Sequence, residues 1–282
     1  MTATTDAARN VDPRTVAGFG QEWAEYDQTG APADELRAIW EGYFRVFPWD
    51  ALSPDARGFD LGCGSGRWAR FVAPRVGRLH CIDASEQALS VARRNLAGQG
   101  NCDFHHASVD AIPLPDGSMD FGYSLGVLHH VPDTLAGIRS CVAKLKPGAP
   151  FLLYLYYAFD NRPAWFRGVW RMSEAVRTRV SRMPHRSKVR VTRAIAAGVY
   201  WPLARTAGLL ERAGMNVDAF PLSAYRGLSL YTMRTDALDR FGTRLEQRFT
   251  RAQMEEMMRA AGLRDIRFNT DEAFWTAVGY RA

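Results

Sequence analysis

Hydrophobic residues follow two different patterns along the chain. Between residues 58 and 157, short apolar runs typical of buried strands alternate with segments whose apolar residues have the spacing of amphipathic helices. The runs predict strands that end near Asp60, Ile82, Ala107, Ser124 and Tyr157. Strands that alternate with helices form a parallel sheet covered on both faces. This region therefore predicts a doubly wound α/β fold.

Two helices are predicted ahead of the first strand. Phe19, Trp23 and Tyr26 have helical spacing within residues 15–27, and a second apolar stripe occupies residues 36–47. Rings on these helices can cover a ligand site or pack against the edge of the sheet. The pattern alone does not separate the two roles.

A long insertion follows the fifth predicted strand. Residues 158–249 precede Thr250-Arg251-Ala252-Gln253, whose spacing is that of a helix-capping box. Gly262 ends that helix, and two further strands are predicted at residues 263–269 and 273–280. We expect the insertion to form a helical cap over the C-terminal ends of the strands, where open α/β sheets bind ligands.

The loop after the first predicted strand carries the clearest chemistry. Its sequence, Asp60-Leu61-Gly62-Cys63-Gly64-Ser65-Gly66, has three alternating glycines. Glycine lets the backbone turn sharply and approach a ligand with no Cβ in the way. Asp83 ends the next apolar run, where a carboxylate can bind the hydroxyls of a ribose. These residues predict a site for a nucleotide cofactor.

Residues 58–157 resemble the class I S-adenosylmethionine (SAM) methyltransferases. The glycine loop has the Asp-x-Gly-x-Gly-x-Gly pattern of their first motif, and Lys146-Pro147-Gly148 precedes the fifth strand as it does in that family. The resemblance implies SAM as the cofactor and a Rossmann-like fold. That fold has a mostly parallel seven-stranded sheet with an antiparallel edge strand, here with a helical cap insertion. An NAD-dependent oxidoreductase ranks last, because Arg67 stands where a dinucleotide motif requires its third glycine.

The resemblance also implies which residues bind the cofactor. One position departs from the family, which often has an Asp after the third strand to bind the adenine amino group. Ser108 stands there, so we expect Ser108 or the backbone of Val109 to take that role, with Asp110 the weaker substitute. The predicted cofactor-binding residues are Asp60, Gly62, Cys63, Gly64, Gly66, Asp83, Ala84, Ser108, Val109, Leu125 and Trp23.

Candidates for catalysis and acceptor binding follow the fourth and fifth strands. His129 and His130 should lie close to the transferred methyl group, and His130 is the leading candidate for a general base. A structural role within the turn is the alternative for both histidines. The residues predicted to bind the methyl acceptor are Tyr156, Tyr157, Asn161, Arg162 and Arg167.

The insertion is strongly basic. Residues 160–193 carry about +8 by formal charge, against +6 for the whole chain. Such a segment can be a solvated helix face, a clamp for an anionic substrate, or a contact with nucleic acid or a membrane surface. We expect a small acceptor of anionic or sugar-like character. One helical face is predicted to hold Phe166, Val169, Trp170, Ser173, Val176 and Val180, with arginines on its other sides.

Four segments follow from this interpretation. Residues 1–50 form helices over the cofactor site, residues 51–157 the SAM-binding core, residues 158–249 the acceptor-binding cap, and residues 250–282 the last helix and two strands. A SAM-dependent methyltransferase of small molecules is the function that this arrangement predicts, by O-, N- or C-methylation. A nucleic-acid methyltransferase that uses the basic cap and a non-catalytic SAM-binding protein remain as alternatives. Nucleic acid is disfavoured because the chain lacks an Asn-Pro-Pro-Tyr-like motif after the fourth strand and a Pro-Cys pair.

Composition bears on where the protein is expected to be located and on whether metal or disulfide sites are expected. The four cysteines form no CxxC pair, so neither a metal site nor a disulfide framework is expected. The first residues lack the apolar segment of a signal peptide. Near residues 194–204 the longest apolar run falls well short of the ~20 residues that a membrane span requires. A cytoplasmic protein is expected, and the sequence leaves a homodimer open.

Overall fold

A computed structural model describes residues 10–272 and 274–282. Within these residues there are seven strands: β1 (Arg57–Leu61), β2 (Arg78–Asp83), β3 (Cys102–His106), β4 (Phe121–Leu125), β5 (Pro150–Tyr154), β6 (Leu263–Phe268) and β7 (Thr276–Arg281). The α-helices are α1 (Pro13–Glu25), α2 (Ala33–Phe44), α3 (Ala69–Val72), α4 (Glu86–Asn95), α5 (Thr134–Lys144), α6 (Ala164–Val180), α7 (His185–Ile195), α8 (Trp201–Arg212), α9 (Leu230–Gly242) and α10 (Arg251–Ala260).

The strands form one sheet in the order β3-β2-β1-β4-β5-β7-β6. Strands β1 to β5 are parallel, and β7 is antiparallel to both β5 and β6. The predicted fold class is confirmed, with the antiparallel strand one place inside the edge. The chain order reverses between β1 and β4, and open α/β sheets bind ligands at such a switch point.

Local signals place the helices that begin beside this switch point. The Ser85 hydroxyl accepts a hydrogen bond from the Ala88 N–H at the start of α4, and Asp133 does the same for α5. The capping box predicted at Thr250 is also confirmed, since its side chain and that of Gln253 each bond the other's backbone N–H. Such caps stabilise a helix by about 1 kcal/mol each.

Several predicted boundaries shift. The predicted fourth strand begins at residue 118, whereas β4 begins at Phe121. The fifth was expected to reach Tyr157 but ends at Tyr154, because Tyr157 pairs instead with Phe249 in an isolated bridge. The predicted start of the last strand, residue 273, and the first nine residues of the predicted segment 1–50 lie outside the described residues.

The insertion between β5 and α10 contains helices α6 to α9. A π-helical segment, Ala196–Tyr200, joins α7 to α8. Met233, Ala237 and Phe241 of α9 form a small apolar core with residues of the neighbouring cap helices. Within the part of the chain that the structure describes, no helix is long and apolar enough to cross a membrane.

The N-terminal helices are tied to this cap. Glu35 of α2 accepts a hydrogen bond of 2.6 Å from the Ser229 N–H, and the Thr232 hydroxyl donates to the same carboxylate. Glu25 of α1 forms an ion pair of 2.5 Å with Arg193 of α7. Helices α1 and α2 and the cap therefore lie together over one end of the sheet.

Candidate functional site

A cavity of about 750 Å³ lies where the strand ends of the switch point meet α1, α2 and the cap. Its size falls within the ~300–1,000 Å³ range of small-molecule sites. Residues from the loops after β1, β2, β3 and β4 line one part, and α6, α8, α9 and the end of β5 line another. We call these parts the cofactor end and the acceptor end.

Glycines shape the loop at the cofactor end. Gly62 and Gly64 have φ of +76° and +54°, a region that other residues rarely adopt. A Cβ at Gly62 would lie 2.3 Å from the Val127 side chain, and one at Gly64 would lie 2.8 Å from Nε1 of Trp23. The loop can therefore have no side chain at these positions, and Trp23 of α1 packs directly on it.

Asp83 connects this loop to the next. Its Oδ2 accepts a hydrogen bond of 2.9 Å from the Gly64 N–H, and its Oδ1 accepts one of 2.8 Å from the Ser85 N–H. Burial raises the pKa of Asp83, while these two bonds lower it. Each carboxylate oxygen can accept a second hydrogen bond, so Asp83 can also bind the two hydroxyls of a ribose.

Asp60 lies behind the loop rather than on the cavity surface. It is 2% exposed, and burial raises its pKa to about 8. Its Oδ2 has no hydrogen-bond partner among the described residues. The predicted cofactor-binding residues thus fall into two groups. Those that line the cavity are Trp23, Gly62, Cys63, Asp83, Ala84, Ser108, Val109 and Leu125, whereas Asp60, Gly64 and Gly66 do not.

The segment before α1 closes the side of the cavity near Ser108. The Asn10 amide exchanges two hydrogen bonds of 2.8 Å with the backbone of Asp133, and the Asn10 N–H donates to Asp110. Ser108 donates its hydroxyl proton to the same Asp110 carboxylate, which leaves the serine oxygen free to accept from an adenine amino group. No pattern in the sequence signals the role of Asn10.

These features fit SAM. The glycine loop brings backbone close to the cavity, Asp83 offers oxygens for a ribose, and Ser108 offers an acceptor for the adenine amino group. No group of three or more potential metal ligands occurs in residues 10–272 or 274–282.

The two predicted catalytic histidines have opposite tautomers. Nδ1 of His130 lies 2.6 Å from the Leu245 carbonyl oxygen. A carbonyl only accepts, so Nδ1 carries the proton and Nε2 has the free lone pair. In His129, Nδ1 accepts from the Tyr156 N–H over 3.3 Å, so the proton is on Nε2. Only His130 lines the cavity; His129 is fully buried against the Tyr156 ring.

The surroundings of His130 keep it neutral. Burial lowers its pKa, an effect that the Asp239 carboxylate opposes. The Phe19 ring lies 4.9 Å from the imidazole, and Nε2 has no partner among the described residues. Neutral His130 can therefore accept a proton through Nε2, while the Leu245 carbonyl holds the ring orientation.

Two carboxylates of α9 lie at the acceptor end. Asp236 and Asp239 both line the cavity, and the Tyr156 hydroxyl donates a hydrogen bond to Asp239. Burial raises the pKa of Asp236 to about 6, and hydrogen bonding to Tyr225 opposes this shift. We did not predict this pair from the sequence, although spacing of three residues on one helix could have indicated it.

The arginines at this end are already paired. Arg240 lies 3.0 Å from a Glu174 oxygen and 3.3 Å from a Glu246 oxygen, and Arg248 lies 2.8 Å from Glu246. Both guanidinium groups also lie 5.0–5.2 Å from the Trp170 ring centroid. Glutamates thus pair with both of these cationic groups on the inner side of the cap.

The predicted acceptor residues are only partly brought together. Tyr156, Tyr157 and Arg162 line the cavity, whereas Asn161 and Arg167 do not. Arg162 donates to the Asp218 carbonyl, and Arg167 donates to the Arg162 carbonyl over 2.6 Å. Backbone oxygens therefore occupy donors of both arginines, which we expected to bind the acceptor.

Arg67 is a further residue of the cavity that sequence reasoning did not assign to it. Its guanidinium lies 4.9 Å from the Trp23 ring centroid and 4.4 Å from that of Trp68. Cation–π contacts of this kind are worth ~0.5–2 kcal/mol. Arg67 thereby fixes the indole that covers the glycine loop.

Comparison with known proteins agrees with this geometry. Residues 59–153 match a family model described as a methyltransferase domain. The chain is 27% identical over 168 residues to the ubiquinone biosynthesis O-methyltransferase of Idiomarina loihiensis, covering 57% of this chain and 67% of that protein. It is 35% identical over 147 residues to the enzyme of the same description from Aromatoleum aromaticum, covering 49% and 60%.

The chain thus matches only part of these relatives, between 57% and 67% of the lengths of several curated ones. A solved SAM-dependent methyltransferase of Thermotoga maritima, described as a possible histamine N-methyltransferase, has the same fold. That match covers 95% of this chain and 100% of the other, with a TM-score of 0.53 and 14% identity.

Proposed function

We propose that this chain, as a class I SAM-dependent methyltransferase, methylates a hydroxyl group of a small molecule bound between the sheet and the cap. SAM supplies a methyl group that its sulfonium already activates. The protein then has to align the acceptor and remove its proton. Alignment alone can contribute ~7–11 kcal/mol to such a reaction.

The cofactor end would hold SAM through few side chains. Asp83 would bind the ribose hydroxyls, Ser108 or the Val109 backbone the adenine, and the loop from Gly62 to Cys63 the remainder. Trp23 would cover the cofactor from α1. The support is that each of these residues lines the same cavity.

His130 would act as the general base. The observation that carries this proposal is the free lone pair on Nε2, which follows from the Nδ1 hydrogen bond to Leu245. A hydroxyl must lose its proton as it attacks, and a neutral imidazole accepts that proton near neutral pH. His129, with its proton on Nε2, would support the turn and the Tyr156 ring.

The acceptor end favours a molecule that has hydroxyl donors and a ring. The Asp236 and Asp239 carboxylates accept hydrogen bonds from hydroxyl groups, and Tyr156 and Tyr157 offer aromatic faces. A sugar or a phenol satisfies both requirements. An anionic group on the acceptor would have to bind Arg162, which already donates to Asp218.

A small molecule fits better than a polynucleotide. Helices α1 and α2 and the cap lie over the strand ends, which leaves a cavity rather than an open groove. Two of the arginines that face it, Arg240 and Arg248, are paired with glutamates, which reduces their availability to phosphates. These contacts support the small-molecule acceptor.

The proposal is tested in two steps. In calorimetric titrations, SAM should bind to the protein and NAD should not. Transfer of labelled methyl groups is then measured across phenols, sugars and amines, with the His130→Ala variant in parallel. Labelling of a hydroxyl compound that depends on His130 supports the proposal. Labelling confined to amines, or equal labelling by the variant, would overturn it.

A further inference from the structure

The outer face of α6 is apolar and exposed. Trp165, Val169, Met172 and Val176 are 51%, 52%, 76% and 44% exposed. At 3.6 residues per turn, their spacing places all four side chains within about 60° of the helix circumference. We call this surface the α6 stripe. The sequence predicted Val169 and Val176 on one face with Trp170 and Val180, but Trp170 is half-buried and Val180 is buried.

One arginine of α6 is turned inward while the apolar stripe faces outward. The Arg177 side chain is only 12% exposed, and it donates to Glu174 and to the Thr243 carbonyl. A helix packed on a protein in water normally turns its charged residues outward and its apolar residues inward. A contiguous exposed apolar surface of this kind marks an interaction site.

Positive charge borders the stripe. Arg171 and Arg179 of α6 are exposed, as are Arg182 and Arg186 just beyond it. The one acidic residue of α6, Glu174, faces the cap interior, where it pairs with Arg177 and Arg240. An apolar centre with a rim of arginines is the pattern of helices that lie in the interface of an anionic membrane.

The stripe is continuous with the cavity. Val169 belongs to the stripe and also lines the acceptor end. Val199, in the π-helical segment between α7 and α8, also lines this cavity and is 46% exposed. An amphiphilic acceptor could therefore pass between a lipid surface and the cavity without crossing water.

We propose that the α6 stripe docks on an anionic phospholipid surface. Trp165, Met172 and Val176 would enter the headgroup region, and the arginines would contact lipid phosphates. A second copy of the chain fits less well, because it would bring two arginine rims together. A nucleic acid also fits less well, because Trp165 is the one stripe residue with a ring on which a base can stack, and methionine and valine offer none. The inference does not rest on the proposed function, since binding is measured without turnover.

Vesicle flotation tests this inference with the full chain. Vesicles of phosphatidylcholine alone are compared with vesicles that also contain phosphatidylglycerol. The stripe variant is Trp165→Gln/Met172→Gln. Neither Trp165 nor Met172 lines the cavity. The rim variant is Arg171→Gln/Arg179→Gln. Its control is Arg259→Gln/Arg264→Gln, which removes the same amount of positive charge from α10 and β6, away from the stripe. Their arginine side chains are 62% and 64% exposed.

Binding of the unmodified chain should require phosphatidylglycerol. The rim variant should lose roughly fivefold in partitioning per arginine removed, and the stripe variant should lose at least as much. The α10/β6 variant should bind as the unmodified chain does. The inference would be overturned by no binding to either vesicle, by equal losses in the two arginine variants, or by full binding of the stripe variant. A dimer that the stripe substitutions dissociate would also overturn it.

Discussion

The two ends of the cavity are built from different parts of the chain. At the cofactor end, contacts are made by backbone groups of the glycine loop and by Asp83, which is held by two backbone N–H groups. At the acceptor end, side chains from the cap pair with one another, as Arg240 does with Glu174 and Glu246. The cofactor end is therefore a property of the fold, whereas the acceptor end can change by substitution while the sheet persists.

The largest effect should come from placing a side chain in the loop. Gly64→Asp should abolish SAM binding, because its Cβ would meet the Trp23 indole and because φ is +54° there. Gly98→Asp is the matched control, since a Cβ at Gly98 has nothing within 4 Å. Calorimetry measures SAM affinity and a melt checks folding. Equal SAM affinity in both variants would contradict a loop defined by its backbone.

Removal of the base should be the next largest effect. His130→Ala should lower kcat by ~10²–10⁴ while SAM affinity is retained. Burial lowers the pKa of His130 below the ordinary histidine value near 6.5. The imidazole therefore stays neutral at mildly acidic pH, and activity should fall only at a pH below 6.5, where it becomes protonated. His185→Ala, in α7 and outside the cavity, is the control. If the pH–rate profile of the His130→Ala variant kept the same fall in activity at acidic pH as the unmodified chain, another group would be the base.

A smaller effect should separate the two ends directly. Asp239→Asn should raise the KM of the acceptor by on the order of tenfold, because a hydrogen bond to a charged group contributes ~1.5–3 kcal/mol. The Kd of SAM should be unchanged, since Asp239 lies at the acceptor end. Steady-state kinetics with each substrate varied in turn measure both quantities. A parallel loss of SAM affinity would mean that the ends are not independent.

The smallest effect should distinguish two neighbouring arginines. Arg162→Ala should raise the acceptor KM severalfold, because Arg162 lines the cavity. Arg167→Ala should leave KM unchanged and cost only about 1 kcal/mol of unfolding free energy, for its bond to the Arg162 carbonyl. Kinetics and chemical denaturation of both variants make the comparison. A larger KM effect at Arg167 would place the acceptor elsewhere in the cap.

The same division explains which features could be predicted. The glycine loop, Asp83 and the caps at Ser85 and Thr250 follow from neighbouring residues, and a local pattern is enough to find them. The inward position of Arg177 depends on Glu174 and on the carbonyl of Thr243, which is 66 residues away in sequence. Helical spacing identifies a face but not what packs against it.

The hydrogen bonds of Asn10 have a kinetic consequence. They join the segment before α1 to Asp133 and Asp110, beside the residues expected to hold the adenine. Because Asn10 lines the cavity beside Ser108, opening of this side requires these bonds to break. We therefore expect the breaking of the Asn10 hydrogen bonds to set how long the spent cofactor stays bound. The maximal turnover rate would then depend on this N-terminal segment rather than on the residues of the sheet.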